Sequence, residues 1–273
     1  MERLADRLGL EVEFVAAVDG RNLSAAQRAL YDPEYARLVY GCDMTDAEIA
    51  CYLSHHSIYQ KMIDENIALS LVLEDDIDCD DDFAEVLQEL LAAPDPEWAV
   101  VRLQSTKSSV CDPQTVKTRG VKLADVRGRS LCRIETSVLG GCGYLIRRTA
   151  AQIMLTYGAR IFMPIDQALD RYWENGILPY VVRPFPVWQH EGFNSAIGTR
   201  GRDVPADLNA LHVARRRARR AFDGLNKRLF SLARREPRWA EVLAKVGVPC
   251  ARLALAPLPI RSNRSDRTKR ALI

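Results

Sequence analysis

Short apolar runs and stretches of helical spacing alternate along residues 1–202, the pattern of an α/β protein. Glu2 to Leu8 has helical spacing and leads into Val12 to Ala17, a strand ending at the Asp19-Gly20 turn. The clearest helix begins at Thr45. Glu48, three residues on, completes a capping box, and Ile49, Tyr52, Leu53, His56, Tyr59 and Ile63 share one face. Asn66 stops that helix, and Leu69 to Leu73 reads as a strand covered on both faces. Phe83 to Ala93 returns to helical spacing, capped by Asp82 with Glu85 three positions on, until Pro94 and Pro96 break it ahead of a strand from Trp98 to Leu103. A third strand, Tyr144 to Ile146, precedes a helix from Thr149 to Tyr157. The alternation predicts an α/β fold with a mostly parallel central sheet.

From Asp203 the pattern changes. Residues 203–273 carry 17 Lys and Arg against 6 Asp and Glu, whereas residues 1–202 carry 21 against 30. We therefore divide the chain into a compact acidic domain, 1–202, and a basic extension, 203–273. Within the extension Leu208, Leu211, Ala218, Phe222, Leu225, Leu229 and Leu232 fall at helical spacing among arginines, with a soft interruption at Gly224, and the final RSNRSDRTKR reads as solvated.

Composition narrows the class. With 48% apolar and 27% charged residues among 273, the chain is neither collagen-like nor disordered. The apolar stretch Val246 to Ile260 holds Arg252 and three prolines, short of the ~20 residues a membrane helix needs. The opening MERLADRLGL has charges where a signal peptide needs an apolar run. Seven scattered cysteines without a CxxC pair point to a reducing, cytoplasmic setting and away from zinc.

The candidate chemistry sits in LVLEDDIDCDDDF, where Glu74, Asp75, Asp76, Asp78, Asp80, Asp81 and Asp82 follow a buried strand. Ligands of open α/β sheets bind at the carboxyl ends of strands. In an extended chain Glu74, Asp76 and Asp78 would share one side and Asp75 the other. Carboxylates alone suit Mg²⁺ or Mn²⁺, and Asp76 and Asp78 are the expected ligands. Asp80 to Asp82 fit helix capping better. Neither GxxxxGK[ST] nor GxGxxG occurs, so phosphate would be held through the ion.

The run from Gly41 to Phe83, with Cys51-Tyr52-Leu53-Ser54-His55 and Leu71-Val72-Leu73-Glu74-Asp75-Asp76, resembles glycosyltransferase family 25. This is the lipopolysaccharide and lipooligosaccharide galactosyltransferase family, to which collagen galactosyltransferases are related. FVAAVDG at Phe14 to Gly20, GGCGYLIRR at Gly140 to Arg148 and Met163-Pro164-Ile165-Asp166 are similar to its further segments. The resemblance implies a GT-A-like nucleotide-sugar-binding fold, inverting transfer of a hexose from a UDP-sugar, usually UDP-galactose, and a divalent ion at the acidic motif. The family opens with a strand of the type "INL"; here Met1 falls inside the first helix, so either the true start lies upstream of Met1 or the first strand is missing.

Inverting transfer needs a carboxylate to take a proton from the acceptor hydroxyl and a cation for the departing diphosphate. Asp166 is the expected base, against the alternative that it caps its helix, with Asp170 one turn on as a weaker candidate. Glu74 or Asp75 would orient ribose or metal waters. Ser54 and His55 stand between substrate contact and support, and His56 is read as a core histidine. His190 is a candidate third metal ligand or a surface residue. Gly140, Gly141, Gly143 and Tyr144 would lie near substrate, and Trp173 and Trp188 either stack on sugar or pack in the core. The basic extension would meet anionic lipid near a glycolipid acceptor, or pack its apolar face on the domain; specific nucleic-acid binding is not expected. A peripheral cytoplasmic-membrane enzyme is the expectation; a non-catalytic relative acting as a binding or scaffold protein is the alternative.

Overall fold

A computed structural model describes residues 12–92, 98–106, 120–189, 210–245 and 269–272, together with Asp6 and Gly9. The elements run β1 (Val12–Glu13), α1 (Ala25–Ala29), α2 (Pro33–Val39), α3 (Asp46–Asp64), β2 (Leu69–Leu73), β3 (Ile77–Cys79) and α4 (Phe83–Ala92). There follow β4 (Val100–Arg102), β5 (Gly120–Val126), β6 (Arg129–Ile134), β7 (Gly143–Arg147), α5 (Arg148–Tyr157), α6 (Ile165–Leu169), α7 (Tyr172–Asn175), β8 (Tyr180–Arg183) and β9 (Val187–Gln189). The chain ends with α8 (Ala210–Arg235), α9 (Pro237–Lys245) and β10 (Lys269–Leu272).

Eight strands form one sheet in the order β1-β10-β2-β7-β4-β8-β6-β5, and β3 and β9 pair separately. The expected α/β class holds, but the sheet is mostly antiparallel. Only β1–β10, β10–β2 and β4–β8 run parallel, while β2–β7, β7–β4, β8–β6 and β6–β5 run antiparallel. Alternating apolar runs fix which residues face a core, not the direction of a partner strand, so direction escaped the sequence pattern. The expected strand Val12 to Ala17 shrinks to Val12–Glu13.

Pleating divides the core into two layers. Val72, Tyr144, Ile146 and Val100 face a cluster built on α3 and α5, whereas Leu69, Leu71, Leu73, Leu145 and Val101 face one built on α4, Trp98, Tyr172 and Phe230. The capping box is present: the Thr45 hydroxyl accepts from the Glu48 N–H and the Glu48 carboxylate from the Thr45 N–H. Gly224 does not interrupt α8, which is continuous. The end of the extension is not simply solvated either, since β10 enters the sheet between β1 and β2.

Candidate functional site

β2 delivers Glu74 to the rim of the sheet, where its N–H still donates to the Cys142 carbonyl (2.9 Å). The chain then turns at Asp75 and Asp76 instead of staying extended. The expected alternation of Glu74, Asp76 and Asp78 is lost, because β3 leaves the sheet to pair with β9. Asp75 is exposed. Asp78 accepts from the adjacent Cys79 N–H (2.8 Å). Asp76 accepts from the Gln189 amide (2.5 Å) through Oδ2, and its Oδ1 is buried without a hydrogen-bond partner. Burial, and then the neighbouring Glu74 and Asp75 charges, push the Asp76 carboxyl up from the usual carboxylate range. Asp80 and Asp82 serve as counter-charges to Arg129 of β6 (2.5 and 2.7 Å), a role beyond helix capping.

Across the cleft α3 presents His55. Its Nε2 lies 3.4 Å from Glu74 Oε1, and its Nδ1 lies 2.7 Å from the Tyr144 hydroxyl, itself 2.7 Å from the Tyr59 hydroxyl. Tyr144 is fully buried behind His55, with the Arg102 cation over its ring (5.7 Å). Ser54 faces elsewhere: it accepts from the Val18 N–H (2.9 Å) and donates to the Ala50 carbonyl (2.9 Å), fixing the early AVDG segment to α3. His56 packs beside Tyr52 and Tyr59, and burial lowers its pKa to about 4, as for an uncharged core histidine.

The 138–141 loop closes the site. Leu139 and Gly140 have φ of 58° and 84°; a Cβ at Gly140 would collide with the Gln104 amide. Asp170 accepts from the Val138 and Leu139 N–H groups (2.8 and 2.9 Å), and Asp166 from the Gly140 N–H (2.9 Å) and its neighbour Gln167 (2.8 Å). Buried Arg102 binds the Gly140 and Asp166 carbonyls (2.5 and 2.8 Å) and pairs with Asp170 (3.6 Å). Burial outweighs that pairing and raises the Asp170 pKa to about 6. A side chain at Gly141 would stand 3.6 Å from the Glu74 carboxylate and 3.8 Å from the Asp166 Cβ, which places that glycine beside both residues. Gly143 instead admits Val187, 3.0 Å from where its Cβ would be.

Glu74, Asp76, His55, Gly141 and Asp166 are thus gathered at the end of β2, while Asp78, Ser54, Gly143 and Tyr144 act behind or beside them. Trp173 is buried, with the Arg171 and Lys227 cations over its ring (4.7 and 4.2 Å), whereas Trp188 is 44% exposed opposite Asp78 on β9. His190 lies outside the described residues. The sequence reading missed Arg102 and Cys51. A lone arginine in a strand carries no signal; Cys51 does, standing four residues before His55 on one helix face.

Fold and cleft together define a mixed α/β protein with carboxylates converging at the end of a buried central strand, the location at which open α/β sheets hold ligands. The family model for glycosyltransferase family 25 (LPS biosynthesis protein) matches residues 1–169, and the chain belongs to that family. A glycosyltransferase 25 family member of Aedes aegypti is 47% identical over 76 residues, 26% of this chain and 12% of that protein. Human procollagen galactosyltransferase 2 is 30% identical over 172 residues, 59% of this chain and 25% of that protein. Procollagen galactosyltransferase 1-A of Xenopus laevis is 28% identical over 177 residues, 62% and 28% respectively. The chain spans less than a third of the length of these relatives.

Proposed function

We propose that the chain is an inverting glycosyltransferase with a GT-A-like donor site. It moves a hexose, galactose, from its UDP-sugar to a lipopolysaccharide- or lipooligosaccharide-type glycan. The observation that carries this reading is that Glu74 and Asp166 flank Gly141 while Asp76 shares the turn after Glu74 and feels its charge, all inside the segment matched by the family model. Names of relatives that contain galactosyltransferase support the choice of sugar.

The family implies a divalent ion, Mn²⁺ or Mg²⁺, and the donor set fits one: the partnerless buried Asp76 Oδ1, with Glu74 beside it, is the oxygen-rich environment that such ions take. Asp76 and Glu74 would hold the ion, with Asp78 two residues beyond the turn. When bound, it offsets charge developing on the diphosphate leaving group. Asp166, oriented by two backbone donors, takes the acceptor hydroxyl proton as that oxygen attacks the anomeric carbon from the face opposite the departing UDP. His55 orients Glu74, and the missing side chain at Gly141 leaves room for the sugar. Exposed Trp188 offers its ring to the acceptor.

The extension serves location at the cytoplasmic membrane face. Its inward side mixes ion pairs and core residues: Arg219 and Asp223 join Arg171 and Glu174, Phe230 packs on Tyr172, and Leu229 packs beside it against the core. Of the apolar row, for which lipid contact and packing on the domain were both expected, Leu229 packs against the core, whereas Phe222 and Leu225, each 53% exposed, face outward with Leu211 and Leu232 beside them. At 3.6 residues per turn these four fall within about a quarter turn, flanked by exposed Arg215 and Arg228, an arrangement suited to anionic lipid. Among the described residues no helix is long and apolar enough to cross a membrane.

Purified protein with Mn²⁺ is expected to turn over UDP-galactose in preference to UDP-glucose and UDP-N-acetyl sugars, and Asp76→Asn to abolish that turnover. No turnover and no UDP-dependent thermal shift with any donor would overturn the reading in favour of a binding role.

A further inference from the structure

Three soft and hard donors meet at the back of the cleft. Cys51 and His55 stand one turn apart on α3, and Glu74 reaches them from the end of β2. One ligand atom from each lies within 4.8 Å of the other two. We propose that Cys51, His55 and Glu74 bind a thiophilic divalent ion of the zinc class, and that this site shares Glu74 with the hard-ion site at Asp76.

Zinc holds thiolate sulfur at about 2.3 Å and imidazole nitrogen at about 2.0 Å, so tetrahedral ligands stand roughly 3.3–3.8 Å apart. The His55–Glu74 separation of 3.4 Å already meets that spacing, and a small rotation of the Cys51 side chain brings in the third ligand. The imidazole is supported from behind in the way metal-binding histidines are. With Nδ1 donating to Tyr144 and Tyr144 donating to Tyr59, Nε2 presents its lone pair toward Glu74. In the other tautomer, reached by exchange of the ring proton with solvent, Nδ1 accepts from the Tyr144 hydroxyl and Nε2–H donates to Glu74. Glu74 remains a third exposed, so the fourth coordination position faces the cleft and is open to water. On binding, sulfur exchanges its proton for the ion and the proton goes to solvent.

The absence of a CxxC pair argues against zinc only for closed cysteine sites; a helix offering Cys and His four residues apart needs just one further ligand. Resting on the proposed transferase reading, the shared Glu74 makes the two ions competitors, so zinc inhibits Mn²⁺-dependent transfer and a chelator restores it.

Cobalt(II) substitution reads the thiolate bond without reference to activity. Full-length wild-type protein titrated with Co²⁺ is expected to show a thiolate-to-cobalt charge-transfer band saturating at one ion per chain. Cys51→Ser is expected to abolish that band and to weaken zinc binding by at least about tenfold in competition with a chromophoric chelator, the lower end of the loss seen when even outer-shell partners are removed. Asp76→Asn keeps the band, which separates this site from the hard-ion site. No band in wild type, or a band that survives Cys51→Ser, would overturn the proposal. Should Cys51→Ser fail to fold by circular dichroism, alkylation of wild type decides: zinc protects Cys51 from iodoacetamide, mapped by mass spectrometry, and unprotected labelling sinks the site. A cobalt band without any sugar transfer leaves this site standing and removes the transferase; transfer unaffected by saturating zinc removes the shared Glu74.

Discussion

Asp170 shows how burial and charge divide the work around the cleft. It is fully enclosed, holds the Val138 and Leu139 amides, and faces Arg102, yet burial still raises its pKa from 3.8 to about 6. Between those values the folded state binds a proton that the unfolded chain does not. This carboxyl's contribution to stability is therefore present in full below about pH 4 and lost as pH rises through 6. The difference in unfolding free energy between wild type and Asp170→Asn, from urea melts at pH 4, 5, 6 and 7, is expected to move in favour of wild type toward acid. A pH-independent difference would show that Asp170 does not titrate there. Arg102 is the complementary case: Arg102→Met strands the buried Asp170 charge, and a loss of about 3–5 kcal/mol in urea unfolding at pH 7 is expected. That loss shrinks at pH 5, where Asp170 takes up a proton.

Elements whose signals are local were legible in the sequence. The Thr45–Glu48 capping box marks α3 to the residue, and Thr45→Ala is expected to lower unfolding free energy by about 1 kcal/mol, read by thermal melting. Leu69–Leu73 was equally plain, since all five residues are buried, as a strand covered on both faces requires. The hydrophobic row on α8 was legible as a row, but not which of its members, Leu229 inward or Phe222 and Leu225 outward, meet the domain. Its opposite side is recruited by Arg171 and Glu174, charges whose placement depends on α7 packing against the sheet. The outward part of the row is testable: Phe222→Asp with Leu225→Asp is expected to abolish co-sedimentation with anionic vesicles while leaving the melting temperature within a few degrees, because neither side chain is buried. Retained binding would reject the lipid surface as its partner. At the site, Glu74 and Asp166 were legible as candidates from the acidic run and the late Pro-x-Asp segment, and the structure puts both beside Gly141. The turn at Asp75 and Asp76 was not, because it follows from β3 finding β9 more than a hundred residues away.

At the scale of the whole chain the basic extension and the acidic domain share one sheet. β10 pairs in parallel with β1 on one side and with β2 on the other, from Lys269 opposite Leu69 to Leu272 opposite Val72. Nothing in KRAL announces a strand, because four residues carry too little periodicity, and the slot is created by the rest of the sheet. The consequence reaches the site, since β2 carries Glu74 at its end and is held by β7 on one edge and β10 on the other. Deleting residues 269–273 turns β2 into an edge strand whose unpaired N–H and C=O groups are a template for another chain. The truncated protein is expected to melt at a lower temperature, to associate in a concentration-dependent way on size-exclusion chromatography, and to lose amide-exchange protection along 69–73. The β7 side of the same strand stays paired, so amides at 143–147 keep their protection. If exchange at 69–73 is unchanged, β10 does not support the strand that positions Glu74, and the extension acts only through α8 and α9.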